Sequence, residues 1–281
     1  MLRVIPVLLL AVFARPLHAE PGSFPPGTAY VAMGSSFAAG PGLGAMRADI
    51  DPRCYGSIEN YPHKLARLRG FELTDVSCSG AQTIHVLNAW KELPAQLDAV
   101  GPGTQLVTIT IGGNDLGYIG GLIQASCAAA GPNPASTWGC RDIPPAPTEA
   151  EFQIVEQRLS QILKGIAARA PDAHAVFVTY ATVLPAYGLC AQAPLTPEQA
   201  ALARTIAAKL EAITRRVAEA AQATLVDAAA LSRLHHACAD IPWMTGYLDD
   251  GGVHEAMPYH PNDAGMDAIA EAIAAALPLQ E

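Results

Sequence analysis

Tyr30-Val31-Ala32-Met33-Gly34-Ser35-Ser36-Phe37 is the stretch on which the reading of the chain turns. Four apolar residues run without a polar interruption and stop at a glycine followed by two serines. An unbroken apolar run of this length fits a strand buried on both faces, as in a parallel sheet. The hydroxyls then fall just beyond its carboxyl end, where open parallel sheets bind their ligands. The same pattern recurs at residues 71–77, 105–111, 175–180 and 224–227, each a short β-rich run. The second of these leads into Cys78-Ser79-Gly80-Ala81 and the third into Gly112-Gly113-Asn114-Asp115.

Amphipathic helices lie between the runs. Thr148 and Glu151 form a capping box ahead of Phe152, Val155, Leu159, Ile162 and Ile166, which recur at spacings of three and four. Thr196, Pro197 and Gln199 open a second helix, with proline at its favoured first position. A third follows Pro261, with Met266, Ile269, Ile273 and Leu277 on one face. Strands alternating with helices give an α/β three-layer sandwich, a central parallel five-stranded sheet with helices on both faces. Residues 128–147 and 238–259 interrupt the alternation and are expected to be disulfide-pinned loops rimming one site.

Composition narrows the function. Of 281 residues, 51% are apolar and 15% charged, too apolar for a disordered polar chain. The net charge of −9, without a Lys/Arg block, argues against gripping a phosphate backbone, so no nucleic-acid partner is expected. Residues 1–19 read as an export signal: Arg3, an apolar run over residues 4–13, and Ala19 at the cleavage point. The alternative is an apolar N-terminal strand. The run is too short for a transmembrane anchor, and no other is long enough. Residues 20–281 then form one domain, secreted to the extracellular or cell-envelope side and expected to be monomeric. Cys54, Cys78, Cys127, Cys140, Cys190 and Cys238 suit disulfides in an exported chain. Six cysteines allow 15 pairings, of which the sequential set, 54–78, 127–140 and 190–238, closes the shortest loops.

A hydroxyl at one strand end, glycine-flanked backbone N–H groups, an amide side chain and the imidazole of His260 ahead of the last helix are the components of acyl transfer. The serine attacks, the imidazole takes its proton, and neutral donors hold the oxyanion. The blocks Val31-Ala32-Met33-Gly34-Ser35-Ser36-Phe37, Ser79-Gly80, Gly112-Gly113-Asn114-Asp115 and His260-Pro261, in that order, resemble the SGNH (GDSL-type) hydrolases. With Tyr61-Pro62 after Cys54, the six cysteines are most similar to those of the secreted, three-disulfide actinobacterial-type esterases and lipases of that family. The resemblance implies the flavodoxin-like SGNH hydrolase fold and a serine esterase or lipase acting through an acyl-enzyme. It implies Ser36 as nucleophile, His260 as general base, and an oxyanion hole of the Ser36 and Gly80 backbone N–H groups with the Asn114 side chain.

Two positions depart from the family pattern. Ser35 replaces an aspartate that supports the turn without doing chemistry. Met257 stands three residues before His260, where the family usually has the aspartate that orients the imidazole. A Ser36–His260 dyad is therefore expected, with the Met257 main-chain carbonyl accepting the imidazole Nδ1–H; Asp249, Asp250 or Glu255 folding back is the alternative. Gly34-Ser35-Ser36-Phe37-Ala38 nearly matches the nucleophile elbow of the α/β-hydrolases, but too few residues precede Ser36 for that scaffold. Residues 40–44 have the wrong glycine spacing for a dinucleotide loop, and His254 and His260 are too far apart for a zinc-protease motif. His235 and His236 read as exposed polar residues. No metal or organic cofactor is implied. The substrate is expected to be a small-molecule or lipid ester, with Leu43, Leu116, Tyr118, Ile119, Leu122, Ile123 and Trp243 offering apolar loop surface to a fatty acyl group. Phospholipid acyl hydrolysis and polysaccharide deacetylation use the same machinery. A secreted binding protein on a dead hydrolase scaffold is the reading from another class.

Overall fold

A computed structural model describes residues 24–133, 139–248 and 257–278. The leader expected over residues 1–19, and Asp249, Asp250 and Glu255, lie outside the described residues. Five parallel strands, β1 (Ala29–Gly34), β2 (Glu72–Asp75), β3 (Leu106–Thr110), β4 (His174–Val178) and β5 (Thr224–Val226), form one sheet in the order β2-β1-β3-β4-β5. Helices α1 (Ser36–Ala39), α2 (Tyr61–Arg69), α3 (Thr83–Leu87), α4 (Tyr118–Ala130), α5 (Glu149–Arg169), α6 (Pro197–Ala220), α7 (Ala228–Leu231) and α8 (Asp263–Ala276) surround it.

Successive side chains on a strand point to opposite faces. On one face Val31, Met33, Val107, Ile109 and Phe177 join the inner stripes of α5 and α6. On the other, Tyr30, Ala32, Leu106, Val176 and Val178 join Leu65 of α2 and Met266, Ile269 and Ile273 of α8. Both faces are covered, which is why the runs carry no polar alternation.

The chain leaves β1 toward β2 on one side and later enters β3 on the other, so the strand order reverses between β1 and β3. Gly34 pairs with Thr110 across that junction. The segments following β1 and β3 therefore emerge side by side, at the crevice where such sheets place ligands. Gly34 has φ +146°, and a Cβ there would lie 2.5 Å from the Thr110 carbonyl oxygen. No other residue lets the two strand ends approach so closely.

The capping boxes at Thr148 and Thr196 form as the spacing predicts. Two of the longer helices, α2 and α4, carry no clear amphipathic signal in the sequence. The first, α2, carries charged residues on most of its surface, although Asn60 accepts the His63 N–H as its cap and Gly70 ends it in the left-handed region. In α4, Gly120-Gly121 and the lack of any charged residue leave no polar face to contrast with the apolar one. The expected loop over residues 128–147 thus begins only after α4 has ended at Ala130. Leu116, Tyr118, Ile119 and Leu122 are buried in the core rather than lining a loop surface, and Leu43 is buried as well. Of the residues expected to offer apolar surface to a fatty acyl group, only Ile123 and Trp243 stay half-buried. The disulfides are the sequential set: Cys54–Cys78, Cys127–Cys140 and Cys190–Cys238. They tie the segment before α2 to the end of β2, the end of α4 to the strap before α5, and the segment after β4 to that after α7.

Candidate active site

Ser36 is the first residue of α1, directly after the β1 turn, and is buried. Its Oγ lies 2.7 Å from Nε2 of His260, a residue 224 positions further along the chain. The two groups named from opposite ends of the sequence are thus in hydrogen-bond contact. His260 is held by the turn before it: its N–H donates to the Met257 carbonyl, with Pro258 and Tyr259 between them. Proline at the first central position and a positive φ at the second, +62° at Tyr259, are the marks of a type II turn. A tyrosine with positive φ is strained. It is restrained here by full burial, a hydrogen bond between its hydroxyl and Ser126 Oγ at 2.6 Å, and packing on Tyr247.

That turn corrects the expected orienting contact. The His260 Nδ1 bonds to the Pro258 carbonyl at 2.9 Å, not to Met257. The Met257 carbonyl already accepts the Thr245 hydroxyl at 2.7 Å and the His260 N–H at 3.2 Å, contributing to the ring only from nearby. A carbonyl oxygen can only accept, so Nδ1 carries the proton and Nε2 presents its lone pair to Ser36. Burial pushes the imidazole down to about 4, against the pull of the Pro258 and Met257 carbonyls, so it is neutral at pH 7.

The three uncharged donors named from the sequence lie on the segments that follow β1, β2 and β3. The Ser36 N–H opens a helix and has no intrahelical acceptor. Among the described residues neither it nor the Gly80 N–H meets a protein acceptor. Asn114 follows β3, where its Nδ2 donates to the Ala81 carbonyl at 2.9 Å. That bond fixes the amide against the Gly80 segment and leaves one of its two N–H groups for a ligand.

The frame behind these groups contains residues that sequence reasoning missed. Tyr180, just past β4, bonds Ser35 Oγ at 2.8 Å and accepts the Gly113 N–H at 3.0 Å, joining the β1 and β3 segments through one phenol. Gly113 lies so close that a Cβ would meet the Tyr180 ring at 2.8 Å. Burial pushes that phenol up to about 12, so it stays protonated. Gln96 clamps Gly34 from below, accepting its N–H at 2.8 Å and donating to its carbonyl at 2.9 Å. Asp115 accepts from the Thr83 N–H at 2.9 Å and from the Thr83 hydroxyl, tying the β3 segment to α3. A lone glutamine or tyrosine far from every motif carries no sequence signal. The only hint was that Ser35, lacking the usual carboxylate, would need a partner. His235 and His236, expected to be exposed, are half-buried: His235 stacks on Trp243 and bonds the Ile241 carbonyl, and His236 accepts the Cys238 N–H.

A doubly covered parallel sheet, with a serine, a neutral imidazole and uncharged donors at its β1–β3 crevice, defines an ester hydrolase of SGNH type. Residues 32–268 match the GDSL-like Lipase/Acylhydrolase family, and the chain belongs to it. It is 35% identical over 276 residues to Lipase 2 of Streptomyces coelicolor, an alignment covering 94% of this chain and 90% of that protein. The crystal structure of the extracellular lipase of Streptomyces rimosus superposes with a TM-score of 0.69 at 28% identity, covering 89% of this chain and all of that one. Phospholipase A1 of Streptomyces albidoflavus shares the fold, with a TM-score of 0.70 at 23% identity over 89% of this chain and 99% of that one. The protein is a carboxylic ester hydrolase of the lipase and esterase kind.

Proposed function

We propose that the protein is a secreted serine esterase or lipase that cleaves carboxylic, fatty acyl esters through a Ser36–His260 dyad and an acyl-enzyme. The 2.7 Å contact between Ser36 Oγ and His260 Nε2 carries this reading. The Ser36 hydroxyl oxygen adds to the ester carbonyl carbon as its proton passes to Nε2. The negative oxygen settles among the Ser36 and Gly80 N–H groups and the Asn114 amide. Collapse breaks the bond to the alcohol oxygen, which takes the proton from Nε2, leaving an ester on Ser36. Water, deprotonated by the same nitrogen, repeats the sequence and releases the carboxylic acid. The Pro258 carbonyl keeps Nδ1 protonated throughout, the tautomer-fixing part of the role that an aspartate has in a triad.

Secretion after loss of residues 1–19, as one domain over residues 20–281, accords with three disulfides, which persist in oxidising compartments. Among the described residues no helix is long and apolar enough to cross a membrane. Covalent labelling by a fluorophosphonate and turnover of a chromogenic acyl ester test the mechanism. Ser36→Ala should abolish both while the circular dichroism of the fold is kept. Undiminished turnover in that variant refutes the assignment.

A further inference from the structure

We propose that Asp75, the last residue of β2, is a positioning residue for ester hydrolysis: its buried carboxylate holds the short helix of Ser36 and the segment of Gly80 at one fixed separation. The inference rests on the hydrolase reading above and adds to it what sets the distance between nucleophile and oxyanion donor.

Asp75 pairs with Ala32 of β1, so it sits in the sheet just short of both segments. Both of its carboxylate oxygens are used. Oδ1 accepts the Ser77 N–H at 2.9 Å and the Ser77 hydroxyl at 2.6 Å. Oδ2 accepts the Asn60 amide at 2.8 Å and meets the Arg47 guanidinium at 2.8 Å. Arg47 is itself anchored, donating to Asp49 through Nε at 3.1 Å and through Nη2 at 2.7 Å. Each carboxylate oxygen thus serves one arm of the site. Through Ser77 it reaches Cys78, whose N–H donates to the Gly34 carbonyl, and Ser79, whose N–H donates to the Cys54 carbonyl. Gly80 comes next, in the left-handed region at φ +82°. Through Asn60 it reaches α1. The same Nδ2 donates to the Ala39 carbonyl at 3.3 Å, and Ala39 ends the four-residue helix that Ser36 opens.

What this network supplies is geometry more than stability. A buried ion pair seldom stabilises a fold beyond what apolar packing of the same volume would give. Hydrogen bonds to a charged group, by contrast, are short and directional. Direction matters at this junction for two reasons. A helix as short as α1 does not hold itself together, and a glycine beyond a strand end has the widest conformational freedom of any residue. Misplacing a reacting group by about 1 Å can cost about 100-fold in rate. An amide cannot stand in for the carboxylate. It has one acceptor oxygen for the donors of Ser77, Asn60 and Arg47. It therefore satisfies either the Ser77 side or the side of Asn60 and Arg47, and one of the two arms is released.

The test measures kcat and KM for p-nitrophenyl butyrate, with the melting temperature, in the full chain and three variants, each assayed well below its own melting temperature. Asp75→Asn lowers kcat by about 10-fold or more and slows fluorophosphonate labelling of Ser36 in the same proportion. KM changes by less than about twofold, because the lost alignment acts on the transition state. Ser77→Ala, which removes only the hydroxyl bond, lowers kcat in the same direction by a smaller factor. Ile273→Ala, a cavity in the buried face of α8, lowers the melting temperature and leaves kcat and KM as they were. Should Asp75→Asn behave like Ile273→Ala, less stable with kcat and labelling unchanged, the network is structural only and the proposal is overturned while the hydrolase reading survives. If Asp75→Asn does not fold, Ser77→Ala decides: a lowered kcat at constant KM supports the proposal and an unchanged kcat overturns it. Absence of both labelling and turnover in the unaltered protein overturns the hydrolase reading itself.

Discussion

Acidification is the perturbation that interrogates the site most directly. An ordinary imidazole, with pKa near 6.5, would be only about one-tenth neutral at pH 5.5. Burial pushes His260 down to about 4, so nearly every molecule still carries a free Nε2 lone pair at that pH. The acid limb of kcat/KM, which reports the free enzyme's base, should therefore have its midpoint near pH 4 to 5. Folding carries the same signature. Between pH 6.5 and 4 the unfolded chain binds a proton at this residue that the native state refuses, so stability rises with pH across that window. It is fully present above pH 6.5 and lost on descending toward 4, by about 3 kcal/mol for a shift of this size. His63, His85, His174 and His236 are also lowered, chiefly by burial, and add slopes of the same sign. Urea unfolding of the native protein alongside His260→Gln cancels them, leaving a difference that shrinks from pH 7 to pH 4. An acid limb centred at 6.5, together with a pH-independent difference, would show that the imidazole is solvated in solution and would refute the argument from burial.

Two further outcomes probe the frame. Asn114→Ala should lower kcat by about 100-fold or more with a smaller change in KM, because its free amide N–H acts on charge that exists only in the transition state; stopped-flow ester hydrolysis measures the split. Tyr180→Phe strips the partner from the Gly113 N–H and from Ser35 Oγ, at a cost of about 1–3 kcal/mol for a buried donor left unpaired. A urea midpoint identical to that of the native protein would show that the phenol does not join the two segments.

How much of this was readable in advance depended on whether the physics was local. The buried strands announce themselves because a residue covered on both sides of a sheet must be apolar whatever its neighbours. The helices opened by Thr148 and Thr196 are legible because a capping box is a contact between residues three apart. The helix opened by Asn60 carried a cap and a terminal glycine, but without a strong apolar stripe these were too faint. The helix after Gly117 hid because a segment packed on several sides has no amphipathic contrast. At the site, the order of the serine, the two glycine-rich blocks and the histidine was plain. Which carbonyl holds the imidazole was not. Met257 stood at the customary spacing, but the positive φ of Tyr259, maintained by contacts with Ser126 and Tyr247 from far along the chain, presents Pro258 instead. Composition and spacing by themselves thus determined the layered sheet, since solvent exclusion dictates its apolar runs, and favoured the disulfide set with the shortest loops, while Ser36 and His260 were named through the family resemblance of their blocks. Tyr180, Gln96 and the Pro258 carbonyl were decided only by the tertiary structure, because their partners meet through packing between segments that no sequence spacing relates.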